Sequence, residues 1–301
     1  VHDLDRAVRV AVLSTLRTAT AIDDGATPEQ ERLIDAVGTH LLGLADLAVE
    51  PLDASGAGAA ITDPALRRIV GEGLVTLELM RHPGSDALTE RIDGYLVALG
   101  FEGPEQLLVR DAVAGAADQV LTDWSRTRTA SVSVTDAGVD ELAVLDQVAA
   151  TADCPPGSLG RAFHDFNVRH GFSYSVGGLS LVGHDFAHVI TGYEAVPEGE
   201  LALQAFLVAA GGGAEHASGL LASLLLYEVG LLRFPEIEPK TAVLDRPGAT
   251  DLLVDAVRRG SDVTQDVQAL DHLALVDRDL IGLRVELGVD APELGPFTFA
   301  G

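Results

Sequence analysis

Cysteine is nearly absent: of 301 residues, only Cys154 carries a thiol. A single thiol excludes an intrachain disulfide framework and a cysteine-rich zinc site. It makes a reducing, cytoplasmic setting the simplest expectation. Lysine is as scarce. Lys240 stands alone, every other cationic side chain is an arginine, and the formal net charge is −26. A field of that sign repels phosphate backbones, so nucleic acid is excluded as an expected partner. It also disfavours attraction to an anionic bilayer. Uncharged runs such as LALQAFLVAAGGGA, 201–214, are too short to span a membrane. The first ten residues, VHDLDRAVRV, hold no apolar signal core. Peripheral membrane contact through an apolar helix remains open.

What is abundant is aliphatic. Hydrophobic residues make up 47% of the chain although aromatics make up only 5%, a globular composition with enough apolar bulk for real cores. The length suggests two modest domains. Helix punctuation recurs. In TPEQERLIDAVGTHLL, Thr27 fits an N-cap, Pro28 the first helical position and Gln30 the reciprocal partner of a capping box. Leu33, Ile34, Val37 and Leu41 follow at helical spacing. Asp63 and Pro64 repeat the device, and a further helix is expected from Pro104. No strand-like alternation runs longer than ASVSVTD. The expected fold is therefore all-α, in two helical domains: 1–125, a Ser/Thr-rich linker at 126–138, and 139–301. In the second domain, helices are expected near 138–151, 157–170, 178–192, 197–210, 214–232, 249–259 and 277–287. Gly171 is expected to end the second of these, and Pro197 to open the fourth.

The stretch GHDFAHVITGYEAVPEGELALQAF carries the chemistry. On a helix, His184, Asp185 and His188 lie at roughly 0°, 100° and 40° around the axis. The two imidazoles share a face, and histidines at i and i+4 can chelate one divalent ion. Glu200, from the next helix, can bring a carboxylate to the same point. Such a donor set suits Zn, Fe, Mn or Co. The same residues also fit a buried polar cluster without metal, with Glu200 favoured in its first turn by the helix dipole. A third reading makes Asp185 a catalytic base on metal-bound water, as in a helical H-E-x-x-H hydrolase.

His184, Asp185, His188 and Glu200 match the H-D-x-x-H, eleven residues, E pattern, and the chain here resembles the Coq-four family of ubiquinone biosynthesis. PPGSLGRAFHDFNVRHGF before the motif and AVRRGSDVTQDVQALDHLALVDRDLIGLRVELGV after it extend the likeness over about 150–290. The resemblance implies an all-helical fold and one divalent metal, usually zinc, held by those four positions. It implies a role in quinone or related prenyl-lipid biosynthesis, as a lyase in the oxidative decarboxylation of a hydrophobic aromatic acid, and biosynthetic complex partners. The expected ligand is a hydrophobic prenylated small molecule. A non-catalytic isoprenoid-binding scaffold with a structural metal is the alternative. The N-terminal part, ATAIDDGATPEQERLIDAVGTHLL, resembles TerB-type tellurite-resistance modules, and Asp23 and Asp24 are then candidate metal-binding residues.

Other residues carry weaker signals. Arg258 and Arg259 form a basic pair able to grip a carboxylate or diphosphate, or simply a solvated helix C-terminus. His164 reads as packing or surface. Glu215 and His216 could extend the polar site. ASGLLASLLLYEVGLL, 217–232, is apolar nearly all round and reads first as a core helix. It could also wall an isoprenoid tunnel or form a membrane or dimer interface, and a homo-oligomer is expected.

Overall fold

In a computed structural model of the chain, residues 4–22, 25–101, 141–174, 180–211, 213–231, 239–263 and 265–290 are described. Among them there are α-helices, short 3-10 and π turns, one isolated bridge between Ser158 and Asp279, and no strand. The all-α expectation holds for these residues. The expected linker at 126–138, the helix expected from Pro104, Asp23 and Asp24, and the Glu215 side chain lie outside the described residues.

The N-terminal part contains α1 (Arg6–Thr20), α2 (Pro28–Ala36), α3 (Ala54–Ala60), α4 (Pro64–Leu79) and α5 (Asp86–Leu99). The punctuation works as the sequence implies. Thr27 Oγ1 accepts the Gln30 N–H at 3.3 Å, and Gln30 Oε1 accepts the Thr27 N–H at 2.8 Å. Asp63 caps α4 through the Leu66 N–H at 2.8 Å. The Gln30 side chain also donates to Leu77 O at 2.7 Å, tying the start of α2 to the end of α4.

The C-terminal part contains α6 (Glu141–Ala150), α7 (Leu159–His170), α8 (Ser180–Thr191), α9 (Pro197–Ala209), α10 (Gly213–Tyr227), α11 (Ala249–Ser261) and α12 (Leu280–Leu287). Most match an expected span to within a few residues, with Gly171 ending α7 and Pro197 opening α9, whereas α10 stops at Tyr227, short of the expected 232. Helix α9 is the central element. It packs along α11 and α10, and its residues from Leu201 to Leu207 are buried.

The two parts are packed against each other. Helix α10 lies on α4, while α2 and the π turn that continues it, Val37–Leu41, lie on α11. The buried apolar residues of both parts form one hydrophobic cluster. Leu220, Leu221, Leu224, Leu225 and Leu226 of α10 are all buried in it, which is the core reading of that apolar helix. Among the described residues no helix is long and apolar enough to cross a membrane.

Candidate metal centre

The two histidines and the glutamate are brought together by a short αα-hairpin. Helix α8 ends at Thr191 and α9 begins at Pro197. The turn between them is tight because Gly199 has no Cβ: a methyl there would overlap the Glu194 carbonyl oxygen. Val196 N–H donates to Glu194 O at 2.8 Å, closing the turn on itself. The first turn of α9 is thereby folded against the end of α8, and Glu200 faces the histidines.

His184 Nε2 lies 3.1 Å from His188 Nε2. Glu200 Oε2 lies 3.2 Å from His184 Nε2, and Glu200 Oε1 lies 3.2 Å from His188 Nε2. One ligand atom from each residue can be chosen so that all lie within 4.8 Å of one another. His188 is fully buried, whereas His184 and Glu200 are partly exposed. The His188 ring stacks against Phe166, with centroids 5.6 Å apart. Its Nδ1 lies 2.9 Å from Tyr193 O. A carbonyl can only accept, so Nδ1 carries the proton in that contact and the Nε2 lone pair is directed into the cluster.

The electrostatics bind the three together. Burial works against protonation of His184, yet the Glu200 carboxylate and its hydrogen bond raise the pKa of His184 above the ordinary value. Burial works against ionisation of Glu200, and the imidazoles of His188 and His184 reverse it, holding the carboxyl well below the usual range. An anionic Glu200 is the form a cation needs. The fit to a metal can be tested on the separations. Tetrahedral ligands at about 2.0–2.2 Å from a zinc ion stand roughly 3.3–3.5 Å apart. The two imidazole nitrogens, 3.1 Å apart, are close to this, and each has a different Glu200 oxygen at 3.2 Å, so the chemistry and placement of the three residues fit a divalent ion.

Asp185 is placed differently from the two histidines. Its Oδ2 accepts the Tyr174 hydroxyl at 2.5 Å, and the same hydroxyl oxygen lies 2.9 Å from the Asn167 side-chain amide. It is not among the three residues whose ligand atoms converge. Burial raises the Asp185 pKa, with Tyr174 opposing, and burial together with Asp185 pushes the Tyr174 phenol upward. Asp185 therefore borders the cluster and faces Tyr174. Neither Tyr174 nor the Tyr193 carbonyl was marked by spacing. Tyr174 lies eleven residues before Asp185 and outside its helix, and a backbone carbonyl has no residue-type signal.

Arg258 and Arg259 have partners outside the cluster. Arg258 Nη2 donates to Asp255 Oδ1 at 2.8 Å. Arg259 is 0% exposed, so it is not a solvated helix end. Its Nε and Nη2 donate to backbone carbonyls, Nη2 to Thr191 O at 2.6 Å and to Asp290 O at 2.5 Å, and its Nη1 lies 3.9 Å from Asp255 Oδ2. His216 is buried and lies 2.9 Å from Asp266 Oδ2, a pair separate from the metal cluster. A cavity of about 310 Å³ is lined by Gln147, Thr151, Asp153, Cys154 and Asp277 among others, and by none of the three donors.

No family model and no curated protein matches the chain. Among solved structures, a crystal structure from Nostoc punctiforme PCC 73102, assigned provisionally to ubiquinone biosynthesis, is similar to it at 18% identity and a TM-score of 0.38. That similarity covers 73% of this chain and 98% of the other.

Proposed function

We propose that this chain is a divalent-metal protein whose ion is held by His184, His188 and Glu200, and that it acts on a hydrophobic aromatic acid in quinone or related prenyl-lipid metabolism. The convergence of three donors from one hairpin, with His188 fixed in the ligating tautomer, carries the metal reading. The substrate class rests on the H-D-x-x-H…E pattern and the segments around it.

The donor set supports a reactive centre over a closed structural one. Two imidazoles and one carboxylate are the set found in non-haem iron oxygenases and in hydrolytic zinc sites, both of which keep a position for an outside ligand. A bound divalent ion supplies a Lewis acid that can hold a phenolate or carboxylate and stabilise charge as a ring carboxyl leaves. The chain's own residues do the rest. Glu200 stays ionised between the two imidazoles. The Tyr193 carbonyl holds the His188 ring in place. Asp185 and Tyr174 hold a proton between them beside the cluster, and Asp185 is the residue we assign to proton transfer. If oxygen is consumed directly, iron suits the step better than redox-inert zinc. A prenylated ligand, peripheral membrane contact and self-association belong to the same proposal.

Elemental analysis of untagged protein beside Glu200→Ala and His188→Ala tests it. About one equivalent of Zn, Fe or Mn is expected in the wild type and loss of stoichiometric metal in each variant. Iron or manganese would favour oxidative decarboxylation. Zinc would favour Lewis-acid chemistry, hydrolysis included. Full metal content in both variants would sink the site.

A further inference from the structure

An α-helix leaves its last four carbonyls without intrahelical donors. In α8 these belong to His188, Val189, Ile190 and Thr191, and all four are taken. The Gly192 N–H donates to His188 O at 2.7 Å. Arg284 Nη2 donates to Val189 O and Arg284 Nε to Ile190 O, both at 2.8 Å. Arg259 Nη2 donates to Thr191 O at 2.6 Å.

The two arginines come from different helices, α11 and α12, and meet at one helix end. Burial and the neighbouring Arg259 charge both lower the Arg284 pKa. Bringing two like charges together inside a protein is costly. Here the carbonyl acceptors and the negative end of the α8 dipole offset it. Arg259 gains further from lying over the Tyr193 and Phe206 rings, 4.8 Å and 5.6 Å from their centroids. Gly192 alone would end the helix. Two rigid guanidinium forks add control of the helix's rotation and axial position, which a flexible lysine could not give.

That control acts where the site needs it. His188 lies in the clamped turn. The residue under Arg259, Tyr193, is the one whose carbonyl orients the His188 ring. We infer that Arg259 and Arg284 are positioning residues of the metal centre, clamping the last turn of α8 so that His184 and His188 converge on Glu200. This rests on the metal-binding reading above.

The test uses the full chain with Zn²⁺ and Co²⁺ as probes and the variants Arg284→Met, Arg284→Lys and Arg259→Met. Arg278→Met serves as control, since among the described residues that arginine pairs with Glu286 on the surface at 2.6 Å, away from α8. Zinc affinity by chelator competition, the visible spectrum of the cobalt form, the histidine side-chain ¹⁵N spectrum of metal-free protein and the melting temperature are read together. Arg284→Met is expected to weaken zinc binding about tenfold or more, alter the cobalt spectrum and blur the His188 tautomer. Arg284→Lys, with charge but no fork, recovers part of each, and Arg278→Met changes none. Should Arg259→Met fail to fold, the Arg284 variants still decide. A lowered melting temperature with wild-type zinc affinity, cobalt spectrum and histidine resonances would overturn the clamp. If the wild type binds neither ion, the metal reading falls by itself. The histidine spectrum then decides the clamp, which stands if Arg284→Met shifts those resonances and falls if it does not.

Discussion

Glu228 shows what burial does to a single side chain. It is 0% exposed at the end of α10, and its Oε2 accepts the Leu244 N–H at 2.9 Å. Its other carboxyl oxygen is buried with no hydrogen-bond partner among the described residues. Burial pushes its pKa up to about 7 from 4.5, only partly opposed by the Leu244 N–H. Between those two values the folded chain holds a proton that the unfolded chain has released. Stability contributed here is therefore present below about pH 4.5 and lost as pH rises to about 7, on the order of 3 kcal/mol in all. Denaturant unfolding of wild type and Glu228→Gln across that range checks it. The difference between the two curves should slope through the window and be flat outside it, because glutamine does not titrate. A parallel pair of curves would remove the assignment.

At the scale of elements, α9 and α11 pack backbone against backbone at Gly260. A methyl at that position would overlap the Phe206 carbonyl oxygen and press on Ala209. Backbone cannot rotate away as a side chain can, so Gly260→Ala should destabilise by about 1–3 kcal/mol, seen as a lower thermal midpoint. An unchanged midpoint would mean the two helices separate at no cost. The helices themselves were legible in the sequence because their ends are chemically marked, by Thr27 and Gln30, by Asp63 and Pro64, and by Pro197. The pairing of His184 with His188 was legible because i and i+4 share a face in any helix. Glu200 was legible as a carboxylate in the first turn of the next helix, which an antiparallel hairpin can bring to the same point, and the family pattern added to that reading. Other parts were hidden for physical reasons. Asp185 sits about 100° round the helix from His184, which turns it to Tyr174, a partner that spacing does not mark. Arg259 looked like a helix-end cation because its acceptors, Thr191 O and Asp290 O, are 68 and 31 residues away. Arg284 carried no signal at all, since its partners are backbone carbonyls 94 and 95 residues distant.

At the scale of the molecule, the N-terminal and C-terminal helices share buried surface. Helix α4 lies on α10, α2 lies on α11, and Arg32 pairs with Asp251 across the two parts. The buried apolar residues join in one cluster. Elements that share a core lose it together. Scanning calorimetry of the metal-free chain should give one transition whose calorimetric and van't Hoff enthalpies agree. Two resolved transitions would mean that the parts melt independently and that their contact contributes little.

The hairpin that carries the donors has a consequence for the order of events in folding. His184 and Glu200 are only 16 residues apart, whereas the arginines that clamp α8 arrive from 68 and 94 residues downstream. Closing a short loop costs less chain entropy than closing a long one and happens sooner. The donors therefore meet before the clamp is in place. On the metal-binding proposal, the donors would be near one another while the last helices are still being made, and only the arrival of the arginines would fix the geometry in which they hold an ion.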